Sequence, residues 1–308
     1  MSQKVNLNKI KLKYKRKYKY VVWILPSLFG LLLLSVYPRL QIFPMSLYKW
    51  SPVSSIKEYK GLHYYKMMFQ YNIDNTLLYA KNTIMYIFFL FAIQTVLSFL
   101  LALALQKNTK HNRIFRAFFF LPMVFSSTMI SLTWAYMYDP NLGIINALLG
   151  KLSVDGFPGF SFFQKNWMAV LCIVIVHIWA NIGYPITILT SGLNTISEEV
   201  MEASRIDGAN AWQSFWKITF PLMLPTALRL SLLTVSTGAM ASDYIVMIGS
   251  RSMEKDYDTW AAVLYKGVLN STDYGSLCAK CVVMFFVLAV FSLIQYLALR
   301  KVENAVLG

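Results

Sequence analysis

Six apolar runs, each about as long as the roughly 20 residues a helix needs to cross a bilayer, constrain this 308-residue chain more than any other feature. They are Val21 to Phe43, Leu78 to Leu105, Ile114 to Tyr138, Trp167 to Leu193, Leu224 to Ile248 and Cys281 to Leu299. With 57% hydrophobic and only 14% charged residues, the composition excludes an ordinary water-soluble domain. The expected fold is an all-α integral membrane protein of six transmembrane helices. No internal repeat or low-complexity linker interrupts it, so residues 21–300 read as one membrane domain between a basic tail (1–20) and a short C-terminal tail (301–308).

Charge orients the spans. Eight Lys/Arg and no acid lie within Lys4 to Lys19, ahead of the first run, and no small-residue cleavage site follows it. Such a leader favours the cytoplasmic side and attracts anionic headgroups. Counting from there, the basic loop Gln106 to Arg116 and the polar loop Glu198 to Lys217 fall inside, and both termini are cytoplasmic. The loops Pro44 to Thr76, Asp139 to Asn166 and Gly249 to Lys280 fall outside. The +15 net charge is therefore mostly a statement about topology and gives no reason to invoke nucleic acid.

One inner loop has a pattern of its own. EEVMEASRIDGANAWQSFWKITFPLMLP, Glu198 to Pro225, is a polar hairpin between two apolar runs. Thr195 and Ser197 are candidate N-caps, with Glu198 three residues after Thr195 in capping-box spacing. A helix is expected from there to about Asp207. Gly208 can take the left-handed conformation that turns the chain into a second short helix, Ala209 to Ile218. The product is a helix-turn-helix elbow.

This elbow, at about 195–221, resembles the cytoplasmic "EAA" coupling-helix loop of permease subunits in bacterial ATP-binding-cassette importers. The family pattern is Glu-Ala-Ala, three residues, Gly, nine residues, Ile, two residues, Pro; here it falls on Glu202, Ala203, Ser204, Gly208, Ile218 and Pro221. Ser204 replaces the second alanine and Phe220 the leucine before the proline, while the spacing is intact. FRAFFFLPMVFSSTMISLTWAYMYDPNLGIINALL at Phe115 to Leu149, the IW and GY pairs of IWANIGYPITILTSGLNTIS, and RIDGANAWQSFWKITFP are similar to the carbohydrate-importer branch, the maltose and multiple-sugar type. The likeness runs from about Val21 to Leu299. It implies a multi-pass plasma-membrane subunit that pairs with a second homologous permease. It also implies two ATP-hydrolysing subunits and an extracytoplasmic solute-binding protein. ATP and Mg2+ would sit on the partner ATPases, and this chain would bind no cofactor. Glu202, Ala203, Ser204, Asp207, Gly208, Ile218 and Pro221 are the coupling residues that the resemblance points to.

The residues themselves agree on what is absent. No Gly-x-x-x-x-Gly-Lys-Ser/Thr loop is present to cradle phosphates, so the energy for transport has to come from a partner. His63, His111 and His177 are too scattered for a local metal site, and no metal is assigned. Cys278 and Cys281 form a Cys-x-x-Cys without further ligands nearby, and Cys172 lies inside another span. Helical spacing puts Cys278 and Cys281 on one face, where small apolar residues help helices approach.

Asp243 is the one acid inside an expected span, about 25 Å above Thr226 by helical rise. It has to face the protein interior or a watery path, where its carboxylate suits sugar hydroxyls or a structural hydrogen bond. Trp179, Asn181 and Tyr184, with Gly183 and Pro185 between or beside them, combine an aromatic platform with an amide and a loosened helix. Tyr244 joins Asp243 as a further candidate on the substrate path.

The expected function is half of a heterodimeric translocation pathway for a carbohydrate, most simply an oligosaccharide, with a polyol or sugar phosphate as the alternative cargo. The chain is not expected to be an enzyme. An ion-coupled carrier would need ionisable residues in several spans, and Asp243 is nearly alone. A membrane enzyme would need clustered carboxylates or histidines; RSMEKDYDTW, Arg251 to Trp260, comes nearest and reads as a solvated loop.

Overall fold

A computed structural model describes residues 23–52, 54–151, 160–249 and 257–307. The basic leader and residues 251–256 of the acid-rich loop lie outside the described residues. The chain separates into two compact units, residues 1–67 with 271–283 and residues 68–270 with 284–308.

The first unit contributes α1 (Trp23–Met45), the strands β1 (Tyr48–Ser51) and β2 (Ser54–Tyr59), and α2 (His63–Lys66). The two strands pair antiparallel with Tyr48 opposite Tyr59, whose rings meet edge-on at 5.2 Å. This hairpin adds two short strands to the mostly helical fold expected: the aromatic Tyr48 and Trp50 alternate with Lys49 and Ser51, and aromatic residues suit a pleated surface. Lys60 caps its end by donating to Glu58 at 2.6 Å, which lowers the Glu58 pKa. Within the same unit Tyr64 donates its phenol proton to Asp273. Burial and that carboxylate both raise the Tyr64 pKa.

The second unit is built on α3 (Ile73–Leu105). Its buried stripe falls every fourth residue, Asn82, Tyr86, Leu90, Gln94, Ser98 and Ala102, and four of those six are polar. The opposite face exposes Ile84, Phe88, Val96 and Leu100. Apolar outside and polar inside is the arrangement of a helix solvated by lipid, whose polar groups must be satisfied by neighbouring helices.

Among the described residues, four helices are long and apolar enough to cross a membrane: α1, α3, α10 (Ala211–Met240) and α13, whose span covers Tyr274–Val302. Two bent pairs pass the same test together. The first joins residues 110–124, α4 (Lys110–Phe120) with a 3-10 turn, to α5 (Ser127–Met137) at 94°. The second joins α7 (Asn166–Asn181) to α8 (Gly183–Leu193) at 57°. Counting each pair as one span gives six. Shorter helices are α6 (Ile144–Lys151), α9 (Glu198–Ile206), α11 (Asp243–Gly249) and α12 (Trp260–Asn270). The helix α13 runs Tyr274–Leu307, so the sulfhydryls of Cys278 and Cys281, both free, lie one turn apart inside it and the C-terminal tail continues it.

The continuity of three apolar segments is corrected. In the third, Phe125 is extended (ψ 151°) and the Ser126 hydroxyl accepts from Met129 N at 3.2 Å, capping a new helix in mid-segment. In the fourth, Pro185 denies the helix a donor and crowds the Asn181 carbonyl. The fifth stops at Met240, where Ala241 turns extended (ψ 90°), and restarts at Asp243. The ruler that put Asp243 a fixed height above Thr226 therefore fails. Hydropathy is blind to all three breaks because apolar residues continue on either side.

The core of this unit surrounds α7, in which Val170, Ile173, Val174, Val176, Ile178 and Ala180 are all buried. A helix apolar on every side belongs at the centre of a bundle. Tyr86 and Leu90 of α3 and Tyr244, Ile245 and Ile248 of α11 close around it.

Candidate functional site

The elbow is made almost entirely by its own caps. The first arm, α9, starts after Ser197, which has N-cap backbone angles but no side-chain cap bond. Thr195, the other cap candidate, bonds back to the Gly192 carbonyl at 2.7 Å and takes no part in the cap. At the far end Ala209 N donates to Ser204 O at 3.0 Å and Gly208 N to Arg205 O at 3.1 Å. This is the double closure of a Schellman turn, and it requires the left-handed residue between, Gly208 at φ 79°.

The second arm starts two residues later than Ala209 and does not end at Ile218. Asn210 and Gln213 form a reciprocal capping box, Gln213 N to Asn210 Oδ1 at 2.9 Å and Asn210 N to Gln213 Oε1 at 3.0 Å. From Ala211 the helix passes through a π turn, Phe215–Thr219, and continues as a span to Met240. The π turn ends two residues before Pro221, which has no N–H to give the turn before it.

Inside the angle the two arms are tied. Ser204 and Ser214 share a hydrogen bond at 3.0 Å, and both are buried. Ser204 is 5% exposed, so its side chain faces its own elbow and not the outer surface. Glu202, Ala203, Asp207 and Gly208 are exposed along the outer edge, while Ile218 and Pro221 are half-buried at the root of the span. Two apolar residues missed in the sequence stand on the same surface: Ile206 is 86% exposed beside Asp207, and Trp212 is 70% exposed with its ring edge-on to Trp216. Their signal was an isoleucine and two tryptophans among the polar residues of the hairpin.

The substrate-path candidates lie where the three broken spans meet. Ser127, the first residue of α5, donates to Asp243 Oδ2 at 2.7 Å, and the Ser242 hydroxyl reaches Oδ1 at 3.4 Å. Asn181, the last residue of α7, donates to the Tyr244 hydroxyl at 3.0 Å and also to the His177 carbonyl. Gly183 opens α8 directly against the end of α4: a β-carbon there would lie 2.7 Å from Phe119 O and 2.8 Å from Phe120 Cα. Each break thus touches another. Broken helices supply free backbone groups and small local dipoles where they line a cavity, which is why transporters use them at cargo sites.

The candidates divide by what their polar groups already do. Asn181 and Tyr244 satisfy one another, and Tyr244 is buried. Asp243 is half-buried and keeps acceptor capacity beyond its two serines, since a carboxylate has about four lone-pair sites. Trp179 is 46% exposed, its ring edge-on to Trp134 of α5 at 5.6 Å, and Tyr184 is 43% exposed. The aromatic surface on offer is therefore Trp179 and Tyr184. Ser127, the partner that decides the Asp243 geometry, had no signal beyond lying in the SST run.

Residues 94–304 match the family described as binding-protein-dependent transport system inner membrane component. The multiple sugar-binding transport system permease protein MsmF of Streptococcus mutans is 25% identical over 273 residues, 87% of this chain and 90% of MsmF. The trehalose/maltose transport system permease protein MalF of Thermococcus litoralis is 25% identical over 294 residues, 92% of this chain and 94% of its own. A chain of a bacterial ABC transporter involved in the import of the acidic polysaccharide alginate has the same fold, with a TM-score of 0.80 over 95% of this chain and 99% of that one, at 18% identity. Since the matched stretch includes the elbow, the junction and more than half of all residues, this chain belongs to the binding-protein-dependent transport system inner membrane component family.

Proposed function

We propose that this chain is the permease subunit of an ATP-driven ABC importer for an oligosaccharide, forming half of a heterodimeric pathway. An extracytoplasmic binding protein delivers the cargo, and two ATPase subunits, carrying ATP and Mg2+, dock on the elbow from the cytoplasm. The basic leader, Lys4 to Lys19, supports that orientation, with both termini inside. MsmF and MalF, both named for sugar transport, support the cargo class.

The observation that carries the coupling role is the construction of the elbow. Closure of two ATPases does work on the membrane helices only through a part that does not yield, and the Schellman turn, the capping box and the Ser204–Ser214 bond make such a part. Its second arm runs without a stop into the span α10. A displacement of the elbow therefore moves that span. Glu202, Ala203, Asp207 and Gly208 form its outer edge, Ser204 holds its shape, and Ile218 and Pro221 set its root.

At the other end of α10, the chain breaks at Ala241 and Ser242 and enters the junction. There Asp243 accepts from sugar hydroxyls while Trp179 and Tyr184 meet the apolar C–H faces of the ring. Asn181 and Tyr244 act as a pair that shapes this edge. Tilting α10 opens the edge to one side of the membrane and then the other, which is alternating access.

The test is ATP hydrolysis by the complex purified through this subunit, with its binding protein and a panel of maltotriose, raffinose and an alginate trisaccharide. Stimulation by one saccharide is expected. Glu202→Lys, a charge reversal on the exposed edge, is expected to lose the co-purifying ATPase while the chain remains folded in the membrane. Absence of any ATPase from the wild-type preparation, or normal ATPase attachment with Glu202→Lys, overturns the reading.

A further inference from the structure

His177 takes no part in the function proposed above, yet it sits at the centre of the junction. It is 6% exposed, one turn before the end of α7. Its Nδ1 lies 2.8 Å from the hydroxyl of Tyr86, which is fully buried on α3, and the two form one hydrogen bond. Its imidazole lies on the ring of Tyr244, centroids 4.9 Å apart and planes at 36°. One turn further along α7, Asn181 holds the hydroxyl of that same Tyr244. The helix α7 therefore grips Tyr244 twice, by the ring and by the phenol, and α3 fixes the gripping imidazole. The next residue back is Asp243, tied to Ser127.

A buried histidine–tyrosine pair is a costly way to fill space, because each polar group must find its partner or lose its hydration for nothing. A leucine and a phenylalanine would pack there without that demand. What the polar pair adds is direction: the hydrogen bond allows the imidazole one orientation, and the stacked ring follows it. We propose that His177, oriented by Tyr86, is a positioning residue for the cargo edge, setting Asp243 through the placement of Tyr244. The inference rests on the reading of that edge as the cargo site. His177 itself touches no cargo.

The test uses the assembled complex and the saccharide of the panel that stimulates the wild type. Tyr86→Phe removes one hydroxyl and keeps the ring. His177→Leu removes both the bond and the stack. His177→Gln keeps an amide able to bond to the Tyr86 hydroxyl. All three are expected to assemble with the ATPases and to hydrolyse ATP at the wild-type basal rate. Tyr86→Phe and His177→Leu are expected to raise the half-saturating saccharide concentration by roughly 5- to 10-fold, the scale of one buried hydrogen bond. The maximal rate should stay within about twofold, and His177→Gln should recover most of the loss.

An unchanged half-saturating concentration in Tyr86→Phe overturns the proposal, and so does a fall in maximal rate that merely tracks the amount of complex, since that pattern belongs to packing alone. If His177→Leu does not assemble, Tyr86→Phe decides. Failure of the underlying importer reading looks different: no saccharide stimulates the wild-type complex at all.

Discussion

Gly208 and Gly183 both stand where one helix gives way to another, but the space around them differs completely. At Gly208 the backbone is left-handed and a β-carbon would meet nothing within 4 Å. At Gly183 a β-carbon would strike the backbone of Phe119 and Phe120, and among the described glycines only Gly61 and Gly208 have positive φ. The first glycine is needed for its conformation, the second for its lack of volume. A bend whose outer face stays open is held by its own caps. One that must bring spans together is held by what presses on it.

Substitutions break this comparison in a definite order. The largest effect is expected from Gly183→Val. Any β-carbon forces the α4 backbone away, and overpacking of this kind costs about 1–3 kcal/mol, with little room to relax against main chain. The amount of folded protein and its melting temperature in detergent should both fall, and Gly183→Asn should be nearly as damaging. Gly208→Val comes second. Its left-handed strain is worth roughly 1–2 kcal/mol and is confined to a solvent-exposed turn, so the membrane domain should melt as the wild type does while ATPase co-purification falls. Gly208→Asn sharpens the contrast. Asparagine tolerates the left-handed region, and ATPase attachment close to normal is expected, whereas a loss as deep as that of valine would mean that bulk, not backbone conformation, matters at this turn.

The smallest effect belongs to the bond inside the elbow. Ser214→Ala leaves the Ser204 hydroxyl with its Met201 carbonyl partner but without its tie to the other arm, at a cost of about 1 kcal/mol. The double variant Ser204→Ala with Ser214→Ala removes both partners and should lose less than the sum of the two single changes in a double-mutant cycle read by ATPase attachment. Additivity would show that the two hydroxyls are independent.

Much of this was legible in the sequence, and what was not has physical reasons. Gly208 announced the turn because few residues other than glycine take that conformation. The cap of the second arm was equally local, Asn210 with Gln213 three residues on, but the eye goes to Thr195 and Glu198, which have the same spacing and do not pair. The six apolar runs agree with the upper end of the four to six spans among the described residues while hiding that three of them are broken, because hydropathy averages across Ser126, Pro185 and Ser242 without registering a change of direction. The hairpin of Tyr48 to Tyr59 was hidden by its brevity. The contacts of the junction had no local signature: Ser127 and Asp243 are 116 residues apart, and Tyr86 and His177 are 91. They exist only once α7 is surrounded.

The turn at Gly208, the capping box and the Ser204–Ser214 tie are all made between residues 201 and 214. The segment therefore carries its own architecture with it. Grafted as a cassette into a related permease at the same register, it would keep its form in foreign surroundings, and under the proposed importer function the chimera would take its choice of motor from the donor and its choice of cargo from the host.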